Sequence, residues 1–86
     1  MPEQTKRVRI FTTPTCPWCD TAKRFCAENS VEYTEVDVMG DRRGFREMVL
    51  MTGQHGVPVV VVGEKAIVGW DAGEFRRLMG WSGRRR

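Results

Sequence analysis

Apolar and polar positions change period several times along the chain, and each change marks an element. Val8-Arg9-Ile10-Phe11-Thr12 is a short run of β-branched and aromatic residues ended by Pro14, and it reads as a first strand. From Pro17 to about Asn29 the apolar residues Ala22, Phe25 and Cys26 fall on one helical stripe. Val31 to Asp37 returns to alternation, with Val31 and Tyr33, and Val36 and Val38 further on, set among Glu32, Thr34, Glu35 and Asp37. A strand, a helix and a second strand predict a right-handed parallel crossover.

Gly40-Asp41 opens a second helix, with Phe45, Met48, Val49 and Thr52 at helical spacing and Gly53 as its stop. Val59 to Val62 and Lys65 to Val68 flank Gly63-Glu64, a two-residue loop whose leading Gly suits a type II′ hairpin. Asp71 caps a last helix, with Glu74 three residues on in the manner of a capping box. Phe75, Leu78 and Met79 form its buried face and Gly80 ends it. The order βαβαββα predicts an α/β protein with a mixed four-stranded sheet flanked by helices.

Eighty-six residues suffice for one domain, with a core from about residue 7 to 80 and a basic tail over 81–86. The net charge of +3 comes from Arg84-Arg85-Arg86; without it acidic and basic residues balance. Three terminal arginines read as a solvated end, so no nucleic acid is expected as a partner. Met1 to Arg9 is polar and charged, unlike a secretory signal, and no apolar run reaches the length of a membrane span. Three unevenly placed cysteines do not make a secreted disulfide framework, which points to a reducing cytoplasm and a transient, catalytic disulfide.

The candidate chemistry lies in Thr12-Thr13-Pro14-Thr15-Cys16-Pro17-Trp18-Cys19, at the junction of the first strand and first helix. Two thiols with two residues between them at such a junction read as a redox pair. Residues three apart on a helix share a face, with Cβ atoms about 5–6 Å apart, within reach of a disulfide. Pro17 suits the first helical position, where a missing N–H costs nothing. Cys16 then stands where first-turn amides and the helix dipole favour a negative sulfur, which makes it the nucleophile. Cys19, one turn in, is the resolving thiol. Cys26 lies seven residues beyond Cys19, about 10.5 Å along a helix axis, too far for a disulfide, and reads as a small buried hydrophobe. His55 with the three cysteines would make a zinc set of legitimate composition but poor spacing. Trp18 either packs on the first helix or forms a wall of a substrate groove.

The element order, with Cys-Pro-Trp-Cys after the first strand, resembles the glutaredoxin branch of the thioredoxin fold from Val8 to about Met79. The most specific elements are Thr15-Cys16-Pro17-Trp18-Cys19, Gly56-Val57-Pro58 before the third strand, and Gly69 after the fourth. The resemblance implies a cis Val57–Pro58 bond and a Val57 backbone that pairs with an incoming substrate as an added strand. It implies a monomeric thiol-disulfide oxidoreductase acting on protein or small-molecule disulfides, without a tightly bound cofactor and with glutathione as a candidate co-substrate. Some glutaredoxins hold an iron–sulfur cluster through the first cysteine and glutathione, and Pro17 argues against that here. A metal- or cluster-binding carrier is the rival reading.

The chain departs from the family at the glutathione positions. Glutaredoxins commonly place Lys or Arg three residues before the first cysteine, where this chain has Thr13. They commonly follow the glycine matching Gly69 with a second glycine and then an acidic residue, where this chain has Trp70, Asp71 and Ala72. Trp70 would fill the pocket and Asp71 would place negative charge where a carboxylate should dock. These features resemble small redoxins reduced by thioredoxin reductase. One group of those carries Trp-Ser-Gly after the last strand, whereas Trp81-Ser82-Gly83 follows the last helix here.

Overall fold

The structure, a computed structural model, describes residues 6–80. Trp81-Ser82-Gly83 and the terminal arginines lie outside the described residues. The elements are β1 (Val8–Thr12), α1 (Pro17–Glu28), β2 (Thr34–Asp37), α2 (Arg42–Thr52), β3 (Val59–Val62), β4 (Lys65–Val68) and α3 (Ala72–Met79). The strands form one sheet in the order β2-β1-β3-β4, with β1 and β2 parallel and the other pairs antiparallel.

The run of four valines in β3 follows from its place inside the sheet. Strand side chains alternate between faces, so a strand covered on both sides is apolar at every position. Val60 and Val62 join Val8, Ile10, Ala22, Cys26, Val31, Ile67 and Phe75 in the core under α1 and α3. Val59 and Val61 join Phe11 and Met48 on the opposite face, under α2. Of the glycines that open the β3–β4 hairpin and follow β4, Gly63 has φ +63 and Gly69 φ +89. Glu64 is not among the positive-φ residues, which fits a type II′ turn and excludes type I′.

One boundary differs from expectation. The alternation from Val31 suggests strand, yet β2 pairing begins only at Thr34, opposite Arg9. Val31 instead closes α1: its amide bonds the Cys26 carbonyl at 2.8 Å and the Ser30 amide bonds that of Ala27 at 3.3 Å. Ser30 takes φ 58, and the buried Val31 shares a core with Cys26. This is a Schellman-type stop with serine where glycine usually stands, so no glycine signalled it.

Asp41 and Asp71 cap α2 and α3, accepting from the Gly44 amide at 2.9 Å and the Glu74 amide at 3.1 Å. The Glu74 carboxylate pairs with Arg77 instead of reaching back to complete a capping box. Among the described residues, no helix is long and apolar enough to cross a membrane.

Candidate active site

The sheet register collects the sequence-predicted residues at one end. Thr12 ends β1 beside Asp37 at the end of β2, and the Val38 amide extends the contact to the Thr12 carbonyl at 2.9 Å. Phe11 pairs with Val59, so the preceding Pro58 and Val57 lie toward Thr12 and Thr13. Val59 in turn pairs with Val68, and the Gly69 amide donates to the Pro58 carbonyl at 2.9 Å. The β1–α1 turn, the segment before β3 and the entry to α3 therefore share one end of the sheet. The Val57–Pro58 bond is cis; Pro58 is buried, while Val57 is half-buried against the core under α2.

Cys16 is the N-cap of α1, with φ −106 and ψ 106, and Pro17 follows in the first turn. The Cys19 amide donates to Cys16 Sγ at 3.1 Å, so the thiol takes the place of the usual capping oxygen. Cys16 is partly exposed and Cys19 fully buried, both as free thiols. The Cys19 thiol donates to the Phe11 carbonyl at 3.9 Å. Burial, first, and the neighbouring Cys16 push the Cys19 thiol up to about 12, while the Thr13 backbone and the charge of Lys23 act the other way. The pair thus differs in access: one sulfur at a helix N-terminus facing solvent, one held as a protonated thiol behind it.

Trp18 is 62% exposed, so its ring is not packed away on α1. Thr13 is half-buried in the turn, and Asp71 is exposed with its carboxylate committed to capping α3. Trp70 is half-buried, its ring 5.3 Å from that of Phe25 and 5.5 Å from that of Phe75. Its bulk is thus anchored in an aromatic cluster between α1 and α3.

The zinc arrangement does not form. Cys26 sits in the core under α1, whereas His55 lies against Phe45 at 5.8 Å on the side of the sheet occupied by α2. Among the described residues no three His, Cys, Asp or Glu side chains group as metal ligands.

A polar network beside the thiols escaped the sequence reading. Lys23 bridges Glu35 at 2.9 Å and Asp20 at 3.6 Å, and Thr12 Oγ1 donates to the same Glu35 carboxylate at 2.9 Å. Lys23 holds the Glu35 carboxyl below its ordinary value, and Glu35 raises Lys23 in return. Lys23 is four residues after Cys19, a helical spacing that could have flagged it. Glu35 meets it only through the β1–β2 pairing.

A partly exposed sulfur capping a helix, with a second thiol buried one turn behind it on a four-stranded α/β sheet, defines a dithiol protein of the thioredoxin superfamily. The glutaredoxin family model matches residues 8–67. The chain is 33% identical over 72 residues to an uncharacterized glutaredoxin-like 8.6 kDa protein of the rubredoxin operon of Clostridium pasteurianum, covering 84% of this chain and 96% of that one. It is 31% identical over 64 residues to glutaredoxin 3 of Escherichia coli strain K12, covering 74% and 77%. The crystal structure of the thioredoxin-like protein BC3987 superposes with a TM-score of 0.79 at 26% identity, covering 84% of this chain and 99% of that one. The chain belongs to the glutaredoxin family.

Proposed function

We propose that this glutaredoxin-family oxidoreductase reduces disulfides through Cys16, with Cys19 as the resolving thiol. The observation that carries this reading is the 3.1 Å bond from the Cys19 amide to Cys16 Sγ, which joins an accessible sulfur to a helix N-terminus. The Cys16 thiolate attacks one sulfur of the substrate disulfide, forming a mixed disulfide and expelling the other sulfur as thiolate. Cys19 then gives up its proton and attacks Cys16 Sγ, which releases the second substrate thiol and leaves a Cys16–Cys19 disulfide. Two electrons from a reductant return the pair to thiols. Val57, Pro58, Gly69 and Trp18 would line the groove that receives the substrate, with the Val57 backbone as its pairing strand.

For the reductant we favour a thioredoxin reductase over glutathione. Thr13 offers no cation to a tripeptide carboxylate, and Asp71 already occupies the N-terminus of α3 with its own carboxylate. The reading places the reaction in a reducing cytoplasm. The test is NADPH consumption with a small disulfide, comparing glutathione plus glutathione reductase against thioredoxin reductase, with Cys16→Ser as control. Turnover only with thioredoxin reductase is expected. Turnover only with glutathione would overturn the donor assignment, and Cys16-independent turnover would overturn the mechanism.

A further inference from the structure

On the α2 side of the sheet a cleft of about 300 Å³ is lined by Arg42, Phe45, Arg46, Val49 and His55. Phe45 and Val49 make an apolar floor, the His55 ring lies 5.8 Å from that of Phe45, and Arg42 and Arg46 stand on the rim. Neither arginine has an acidic partner among the described residues. The two nearby acids on this helix are engaged elsewhere: Asp41 caps Gly44 at 2.9 Å, and Glu47 pairs with Arg9 at 2.6 Å.

This placement works against the helix that carries it. Arg42 is the first residue of α2, where the dipole disfavours a cation, and Arg42 and Arg46 repel each other at i,i+4 spacing. Local rules broken without a compensating partner are expected where a residue serves function rather than folding. Both walls of the cleft also start at the Cys16 end of the sheet. Arg42 follows Asp41, whose amide bonds the Asp37 carbonyl at 2.9 Å, and Asp37 pairs with Thr12. His55 stands three residues before Pro58 on the segment that leads to Val57.

Taking the chain as a disulfide reductase acting through Cys16, we infer that this cleft binds an acidic, partly apolar peptide segment of the protein substrate, flanking its reactive cysteine. Carboxylates of the segment pair with Arg42 and Arg46, an apolar side chain rests on Phe45 and Val49, and His55 supplies a further hydrogen-bond donor. A peptide running past Val57 continues along Gly56 and His55 into the cleft. The site thereby selects acidic protein disulfides over neutral ones.

The test uses two peptide disulfides identical except that glutamates around a leucine in one are glutamines in the other. The reduced protein is mixed with each, and the rate of its own oxidation is followed: two protein thiols become the Cys16–Cys19 disulfide as the peptide disulfide becomes two thiols. In low salt the acidic peptide is expected to react roughly tenfold faster, about 1.4 kcal/mol shared between two exposed ion pairs. The ratio should fall toward one in Arg42→Ala/Arg46→Ala and in high salt. That variant should melt no lower than the parent, since it removes repulsion and gains helix propensity. A ratio near one in the parent, or one unchanged by the double substitution, overturns the inference. Binding of a thioether analogue of each peptide, which cannot exchange, reads the same ratio without the redox step and separates failure of this site from failure of the disulfide chemistry.

Discussion

The Cys19 residue serves Cys16 twice: its backbone amide donates to Cys16 Sγ at 3.1 Å, while its own thiol turns inward to the Phe11 carbonyl at 3.9 Å. One residue thereby caps the outer sulfur and keeps the inner one in reserve. Alkylation should reveal the asymmetry. Iodoacetamide at neutral pH is expected to label Cys16 alone in the folded reduced protein, because Cys19 and Cys26 are fully buried and held protonated. Mass spectrometry after brief labelling should find one adduct, and three in denaturant. Comparable labelling of Cys19 would show that the asymmetry is absent in solution.

Burial dominates and raises the Cys19 thiol; the charge of Lys23 is a smaller influence in the opposite direction, and Glu35 and Asp20 hold Lys23 in place. Replacing Lys23 by Gln should slow the second step of exchange roughly twofold to fivefold, since a half-exposed charge is partly screened. The mixed disulfide on Cys16 should then accumulate in acid-quenched samples, while its rate of formation stays near that of the parent. A change confined to the first step would contradict this role.

Burial pushes the Cys26 thiol up to about 11 from an ordinary value of 9.0. The folded state therefore keeps a proton that the unfolded chain releases above about pH 9. The associated stability is fully present below that pH and is lost as pH rises toward about 11. Urea unfolding of the reduced protein should show Cys26 contributing a loss of roughly 1–2 kcal/mol between about pH 8 and 10.5. Cys26→Ala should lose correspondingly less over the same interval, whatever its stability at neutral pH. Equal slopes would place the alkaline transition elsewhere.

Gly44 stands in the first turn of α2, where replacing glycine by alanine gains at most the roughly 1 kcal/mol of a helix interior. Its backbone packs so closely on β2 that an added Cβ would collide with Val36 Cγ1. Overpacking of about 1–3 kcal/mol outweighs the helix gain, so Gly44→Ala should lower the urea midpoint. A raised midpoint would mean that α2 and β2 separate easily.

Much of this arrangement is legible in the chain because local and tertiary preferences agree. The valine run of β3, the aspartate caps of α2 and α3, the Gly63 hairpin and the thiols of the first helix each follow from neighbours in sequence. Val31 was misleading because its apolar side chain serves the end of α1 as well as it would serve a strand. Gly44 gave no sign of its packing role, since that depends on Val36 across a layer. Glu35 joined Lys23 only through strand pairing, and Arg42, Arg46 and His55 converge only when the segment before Pro58 returns to α2. The contacts of Trp70 with Phe25 and Phe75 form only when α3 folds back beside α1.

The most direct test of the dithiol mechanism is to trap the mixed disulfide. Reduced Cys19→Ser and Cys16→Ser variants are each incubated with a protein or peptide disulfide, quenched with acid and examined by intact-mass and peptide-mapping spectrometry. The mechanism predicts a stable adduct on Cys16 of the Cys19→Ser variant and almost none on the Cys16→Ser variant. An adduct on Cys19 forming at a comparable rate when Cys16 is replaced would contradict it.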